Sequence, residues 1–140
     1  MNKQHQEGIV VLIENADGQI AFQLRDHNPE ILYPNCWGLF GGWTETDELP
    51  QQTAIREIEE ELGCSLDASK LIYLRLFVDG EVQSHVLRYQ VTNELQDATL
   101  AEGQAIRFMT LADLQDRKVV PRHRKILEWY EHGKYLRQNG

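Results

Sequence analysis

The segment from Gly42 to Cys64 constrains this chain more strongly than any other part of its sequence. Its apolar side chains recur at i, i+3 and i+7, which is the spacing of one helix face: Ile55, Ile58 and Leu62. Three carboxylates recur at i, i+3 and i+4 on roughly the opposite side: Glu57, Glu60 and Glu61. The segment therefore predicts an amphipathic helix with one face on a core and one acidic face.

The ends of this helix are marked by local signals. Pro50 suits the first turn, where a missing N–H costs nothing, and Gly63 suits the position just past the last turn. Thr46 or Asp47 is the expected N-cap, because both side chains can accept a hydrogen bond from the first turn. We predict a helix over 49–62.

The acidic face makes this helix less stable than its length allows. Like charges at these spacings destabilise a helix by about 0.2–0.5 kcal/mol per pair, and acids are disfavoured near its negative C-terminal end. Carboxylate oxygens are the ligands that Mg²⁺ prefers, commonly together with substrate phosphates. The pattern thus fits a metal site for phosphate chemistry, although for three glutamates alone an ordinary solvated acidic face is the commoner explanation.

The charge balance limits the partners of the chain. Its 140 residues carry 22 acids and 14 bases, a formal net charge of -8. Binding to a nucleic acid polymer is not expected, because that needs a basic footprint. A small phosphorylated substrate would also be repelled unless a bound cation reversed the local field.

Length and composition predict one domain over residues 1–140. No apolar run is long enough to span a membrane, and residues 1–7 lack the apolar stretch of a signal peptide. We therefore expect a cytoplasmic protein without a membrane partner. Cys36 and Cys64 are too few for a disulfide framework and are expected to be reduced.

The rest of the chain has the pattern of a mixed α+β domain. Two β-hairpins are expected, one from 9–14 and 19–25, the other from 71–78 and 82–91 around Asp79-Gly80. Further elements are predicted as short strands at 36–40 and 105–109, a short helix capped by Thr110, and a terminal helix over 121–136.

With these residues in place, the segment resembles the signature of the Nudix hydrolases. Every polar or glycine position of that signature is matched, by Gly42, Glu48, Arg56, Glu57, Glu60, Glu61 and Gly63. The resemblance implies an α/β/α sandwich, with a mixed sheet and helices on both faces. Three positions depart from the family pattern without removing a metal ligand: Asp47 stands where glycine is common, Phe40 where proline is frequent, and Cys64 at the last apolar position.

The resemblance also implies roles for the matched residues. Mg²⁺ or Mn²⁺ would be held by Glu57, Glu60 and Glu61, and one of these glutamates would also act as general base. Arg56 would orient the neighbouring glutamate at the catalytic centre. Structural roles are implied for the remaining signature residues, Gly42, Glu48 and Gly63.

A second local match lies downstream of the signature. Glu102-Gly103-Gln104 resembles a Glu-Gly-Gln of MutT-type members, where the glutamate lies on a loop beside the metal. Glu102 is therefore a candidate fourth carboxylate, as ligand or base, and a solvated loop acid is the alternative. Glu81 and Glu94 are rival candidates.

Substrate contacts are expected from Arg25, which could reach a phosphate, and from three aromatic residues near the signature, Trp37, Phe40 and Trp43. Core packing is the alternative for Trp37 and Phe40. A basic patch precedes and enters the last helix, either as a solvated face or as an anion-contacting pocket edge: Arg117, Lys118, Arg122, His123, Arg124 and Lys125. Core packing or a homodimer contact is expected of Ile126, Leu127 and Tyr130.

The resemblance implies Mg²⁺-dependent hydrolysis of a nucleoside diphosphate linked to another group, such as a nucleoside triphosphate, ADP-ribose or an NDP-sugar. The Glu-Gly-Gln match favours nucleoside triphosphates. Two alternatives stay open: a non-catalytic nucleotide-binding module of the same fold, and an isoprenoid-diphosphate isomerase with Cys36 as its cysteine.

Overall fold

The computed structural model describes residues 6–96 and 105–139, apart from the side chains of residues 135, 138 and 139. The strands are β1 Glu7–Glu14, β2 Ile20–Leu24, β3 Trp37–Trp43, β4 Ile72–Asp79, β5 Val82–Gln90 and β6 Ala105–Met109. The helices are α1 Pro50–Leu62 and α2 Pro121–Asn139, with short 3-10 helices at Ala68–Lys70 and Ala112–Leu114. None of the described helices is both long and apolar enough to cross a membrane.

The six strands form one mixed sheet in the order β4-β5-β1-β3-β2-β6. β1 runs parallel to β5, and the other neighbours pair antiparallel. Helix α1 packs on one face of this sheet and α2 on the other. The predicted α+β class, with a mixed sheet and helices on both faces, is confirmed.

Strand β1 lies in the middle of the sheet, and its side chains alternate between two cores. Ile9, Val11 and Ile13 face the α1 side, whereas Val10 and Leu12 face the α2 side. All five are at most 3% exposed. The continuous apolar run at the start of the chain follows from this burial on both faces.

The predicted hairpin of β1 and β2 is wrong beyond its turn. The two strands pair only at Glu14 and Ile20, because β3 lies between them for the rest of their length. The turn itself forms as expected, with Asn15 Oδ1 accepting hydrogen bonds from the backbone N–H groups of Asp17 and Gln19. Turn residues therefore reverse the chain here without specifying the strand that pairs next.

The second predicted hairpin is confirmed. β4 and β5 pair antiparallel from Ile72 opposite Arg88 to Asp79 opposite Val82. The connecting Gly80 has a φ of +64°, a conformation that side chains rarely adopt.

Helix α1 begins differently from the sequence prediction. Its N-cap is Leu49, whose N–H donates to Gln52 Oε1 at 2.8 Å. Thr46 and Asp47 are not the cap, since the chain still turns at Asp47, which has a φ of +68°. The C-terminal prediction is confirmed, because Gly63 is left-handed and its N–H donates to the carbonyl of Glu59 at 2.9 Å.

Helix α2 covers the second core with three side chains, for which the sequence predicts either core packing or a homodimer contact. Ile126 and Leu127 are fully buried and Tyr130 is 5% exposed, all on the α2 face of the sheet. These side chains pack within the chain, so core packing is confirmed for them. Cys36 and Cys64 are both free thiols.

Candidate functional site

The site is built where α1 crosses strand β3. A Cβ atom added at Gly42 would lie 2.2 Å from the carboxyl carbon of Glu57 and 2.4 and 2.6 Å from its two oxygens. No larger residue fits at this position without moving that carboxylate. Glycine at position 42 therefore forms a backbone cradle that seats Glu57 against the sheet.

Arg56 connects the signature residues. Its Nε donates to Glu48 Oε2 at 2.7 Å and its Nη2 donates to Glu48 Oε1 at 2.9 Å. Its Nη1 donates to Glu57 Oε2 at 2.8 Å and to Glu60 Oε1 at 3.4 Å, and Nη2 also reaches the Trp43 carbonyl at 3.1 Å. One guanidinium thus links β3, the loop that follows it and the acidic face of α1.

Glu48 ties the loop to the start of the helix. Its Oε1 accepts hydrogen bonds from Thr53 Oγ1 at 2.8 Å and from the Glu45 N–H at 3.0 Å. The bond from Arg56, followed by that of the Glu45 amide, lowers the pKa of Glu48 to about 2. The carboxylate is therefore ionised at neutral pH and restrains Arg56 in turn.

The three glutamates of the acidic face differ in exposure. The Glu57 side chain is 18% exposed and that of Glu60 is 59% exposed. Glu61 is half-buried, and its Oε2 accepts a hydrogen bond from Gln23 Nε2 at 3.4 Å. Burial raises the pKa of Glu57, although the bond from Arg56 opposes that shift.

This donor set fits a hard divalent cation in its chemistry. Glu57, Glu60 and Glu61 offer carboxylate oxygens from neighbouring turns of one helix, and the Gly42 cradle fixes one of them. Within residues 6–96 and 105–139, however, no three His, Cys, Asp or Glu side chains are already gathered closely enough to hold a metal ion. These residues therefore match a metal site in the type of their ligand atoms and in their position on one face of α1.

A pocket of about 240 Å³ adjoins these residues. Gly42 and Glu61 line it beside Arg25 and the exposed Trp43, so two of the predicted substrate-contact residues do reach it. Arg25 Nε also donates to the Leu32 carbonyl at 2.9 Å, which anchors its side chain at the pocket wall.

The other two predicted contact residues lie in the cores. Phe40 is fully buried on the α1 face and Trp37 is 9% exposed on the α2 face. The Trp37 ring is also covered by the Arg117 guanidinium, 5.6 Å from its centroid. The prediction that Phe40 and Trp37 stack on a base is therefore wrong. Both side chains pack in the cores, as the alternative for them predicts.

Glu102, with Gly103 and Gln104, lies outside the described residues. Its rival Glu94 is engaged elsewhere, since its Oε2 accepts from Lys70 Nζ at 2.8 Å and from the Tyr89 hydroxyl at 2.6 Å. Glu81 follows Gly80 in the turn between β4 and β5.

His123 lines the pocket, as the pocket-edge alternative for the basic patch predicts, but it contributes no positive charge there. It is 8% exposed, and burial lowers its pKa to about 3, so the ring is neutral. Its Nδ1 accepts the backbone N–H of Leu39 at 2.9 Å. The signal was available, because His123 shares the i, i+3, i+4, i+7 spacing of Ile126, Leu127 and Tyr130.

A family model described as NUDIX domain matches residues 4–130. A Mycobacterium tuberculosis protein named "Putative 8-oxo-dGTP diphosphatase 3" is 28% identical over 129 residues, covering 74% of this chain and 59% of the relative. A Methanocaldococcus jannaschii protein named ADP-ribose pyrophosphatase is 26% identical over 115 residues, covering 81% of this chain and 66% of the relative.

The chain thus spans about three fifths to two thirds of the length of these curated relatives. Among solved structures, MutT from a study of the Aliivibrio salmonicida and Vibrio cholerae proteins aligns with a TM-score of 0.71. The alignment has 19% sequence identity and covers 88% of this chain and 94% of that one, which shows a shared fold.

Proposed function

Because this chain belongs to the NUDIX domain family, we propose that it hydrolyses a phosphoanhydride bond in a nucleoside diphosphate linked to a second group. The main support for this proposal is the position of the Glu57 carboxylate against Gly42. A Cβ atom at position 42 would lie only 2.2 Å from the carboxyl carbon of Glu57. A fold could bury a small apolar residue there more cheaply than a carboxylate.

The acidic face of α1 provides the ligands in this proposal. Glu57, Glu60 and Glu61 would hold Mg²⁺, or Mn²⁺ in its place. When bound, such an ion neutralises phosphate charge and acidifies a bound water molecule. Arg56 keeps Glu57 oriented through its 2.8 Å bond, and its own position is fixed by both oxygens of Glu48.

The chain's own carboxylates also supply the proton acceptor. An oxygen of Glu57 or Glu60 takes the proton of the attacking water, since a general base must lie beside the reacting centre. Glu57 is favoured by its placement, because the Gly42 backbone and the 2.8 Å bond from Arg56 Nη1 hold its carboxylate in position.

Nucleoside triphosphates are the substrates that we propose first. The Glu102-Gly103-Gln104 match favours them, and one relative bears a name that includes 8-oxo-dGTP. ADP-ribose is the second candidate because another relative is named for it.

A substrate panel tests the activity. Deoxynucleoside triphosphates, ADP-ribose, NDP-sugars, dinucleoside polyphosphates and NADH are incubated with the protein in Mg²⁺ or in EDTA. We expect turnover of at least one compound in Mg²⁺ and none in EDTA. Binding of Mg²⁺ without turnover of any compound would favour the non-catalytic nucleotide-binding module instead.

The isomerase alternative requires a catalytic cysteine. Cys36 precedes β3 and does not line the pocket beside Glu61. A Cys36→Ser variant should therefore keep wild-type hydrolysis, whereas isomerisation of an isoprenoid diphosphate by the wild type that is lost in this variant would favour the isomerase.

A further inference from the structure

Two arginines in the first turn of α2 have different surroundings. Arg124 has a structural role, because its Nη2 donates to the carbonyls of Leu114 at 3.0 Å and Arg117 at 3.3 Å. Arg122 is half-buried, and its Nε is fully buried without a hydrogen-bond partner among the described residues. A buried donor left unsatisfied costs stability, so packing alone does not explain Arg122.

Arg122 lines the same pocket as Arg25, Gly42 and Glu61. The pocket therefore brings a guanidinium from α2 and another from the end of β2 to the side of the acidic helix. In a chain with a formal net charge of -8, this pocket brings two arginines together on the wall that also carries the Glu61 carboxylate.

The neighbouring histidine adds a further donor. The neutral His123 ring accepts a hydrogen bond at Nδ1 from the Leu39 N–H, so its proton lies on Nε2. Arginine side chains have no acceptor atoms. These three groups of the pocket wall can therefore only donate, which matches a ligand rich in acceptor oxygens.

We propose that Arg122 and Arg25 form an anion subsite that binds a phosphate group of the substrate outside the α1 carboxylate site, with Arg122 as a specificity-determining residue. The identity of the ligand as a nucleotide phosphate rests on the proposed function. The guanidinium fork suits two oxygens of one phosphate, because parallel N–H···O bonds to an anion are stronger than bonds to a neutral acceptor.

The neutral edge of a nucleobase is a less suitable ligand for Arg122 and Arg25 than a phosphate. Burial lowers the pKa of Arg122; Tyr33 and the Asp79 carboxylate oppose that shift, and the charge of Arg25 adds to it. A keto oxygen would satisfy the Nε donor but would leave this repulsion between like charges in place. A phosphate satisfies the donor and removes the repulsion at the same time.

The test measures binding without metal or turnover. Arg122→Gln, Arg122→Lys and the matched control Lys125→Gln, at an exposed position of the same helix, are titrated calorimetrically in EDTA. The probes are inorganic pyrophosphate, dGTP and 2′-deoxyguanosine. We expect Arg122→Gln to weaken pyrophosphate and dGTP binding about tenfold or more, Arg122→Lys to be intermediate, and Lys125→Gln to match wild type.

Thermal unfolding separates binding from folding. Because the Arg122 guanidinium is desolvated without a partner at Nε, Arg122→Gln should keep or raise the wild-type Tm. Unchanged pyrophosphate binding in this variant, or no saturable binding by the wild type at millimolar pyrophosphate, would overturn the subsite. Equal weakening of 2′-deoxyguanosine and dGTP would assign Arg122 to the base and also overturn it. All of these outcomes are independent of hydrolysis, so failure of the subsite and failure of the proposed activity are distinguishable.

Discussion

Arg56 binds both carboxylate oxygens of Glu48, with Nε 2.7 Å from Oε2 and Nη2 2.9 Å from Oε1. This fork-to-fork pair leaves Nη1 of the same guanidinium bonded to Glu57 at 2.8 Å. The loop before α1 and the half-buried carboxylate of Glu57 are therefore positioned by a single side chain.

Replacing this side chain by a shorter cation tests the positioning role. Arg56→Lys keeps the charge but cannot span Glu48 and Glu57 together, because an ammonium group is a point charge without a planar fork. We expect kcat to fall by about 100-fold and the free energy of unfolding by about 1–3 kcal/mol. Steady-state kinetics and urea denaturation measure both. Arg107→Lys, at an exposed position of β6, is the control, and wild-type kinetics of Arg56→Lys would rule out the positioning role.

The Gly42 cradle makes a second prediction. In Gly42→Ala the new methyl group would overlap the Glu57 carboxylate, whose carbon lies 2.2 Å from the Cβ position. Glu57 must move, so we expect turnover to drop about 100-fold or more while the fold persists. Activity and circular dichroism check this, with Gly133→Ala in α2 as the matched control. Full activity of Gly42→Ala would show that the position of Glu57 is not critical.

Acid sensitivity follows from the lowered pKa of Glu48. The pKa falls from an ordinary 4.5 to about 2 on folding, so the ionised carboxylate stabilises the fold above pH 4.5. This stabilisation, of about 1–3 kcal/mol, is lost as the pH falls from about 5 towards 2. Denaturant unfolding of Glu48→Gln and wild type should show a stability gap at pH 7 that narrows by pH 3. A gap independent of pH would assign the effect to packing instead.

Glu14 does not line the pocket beside Glu61, and we expect it to affect the stability of the fold but not catalysis. Its side chain is 5% exposed and binds Arg88 Nε at 2.9 Å, the Tyr130 hydroxyl at 2.7 Å and the ammonium of Lys134. Burial raises the pKa of Glu14, but these three partners together lower it.

Glu14→Gln removes the negative charge that these cations share. We expect the free energy of unfolding to fall by about 2–4 kcal/mol, with kcat unchanged for the folded protein. Glu131→Gln is the control, since its ion pair with Lys134 at 3.5 Å is partly exposed and worth at most about 1 kcal/mol. Equal stability of the two variants would contradict the buried network.

The sequence was sufficient for α1 because its determinants are local. The apolar spacing, Pro50 at the start and the left-handed Gly63 at the end all lie within the segment itself. The N-cap was missed because a loop residue, Asp47, adopts a φ of +68° and delays the helix to Pro50.

The arrangement of the strands could not be predicted in this way. The pairing of β1 with β3 and β5 depends on residues distant in the chain. The turn at Asn15 therefore predicts a hairpin, but β1 and β2 pair only next to that turn. Similarly, the position of β3 within the sheet determines which of its side chains face the pocket. Phe40 points into the α1 core, whereas the exposed Trp43 reaches the pocket.

The most direct test of the account replaces the glutamates of α1 one at a time. Glu57→Gln, Glu60→Gln and Glu61→Gln are assayed with Mg²⁺ on the substrate that the panel identifies, beside Glu59→Gln, an exposed acid of the same helix. We predict kcat losses of about 100-fold or more for the three, with near wild-type kcat for Glu59→Gln and similar Tm values throughout. Near wild-type hydrolysis by all three variants would contradict the assignment of this helix face as the metal site.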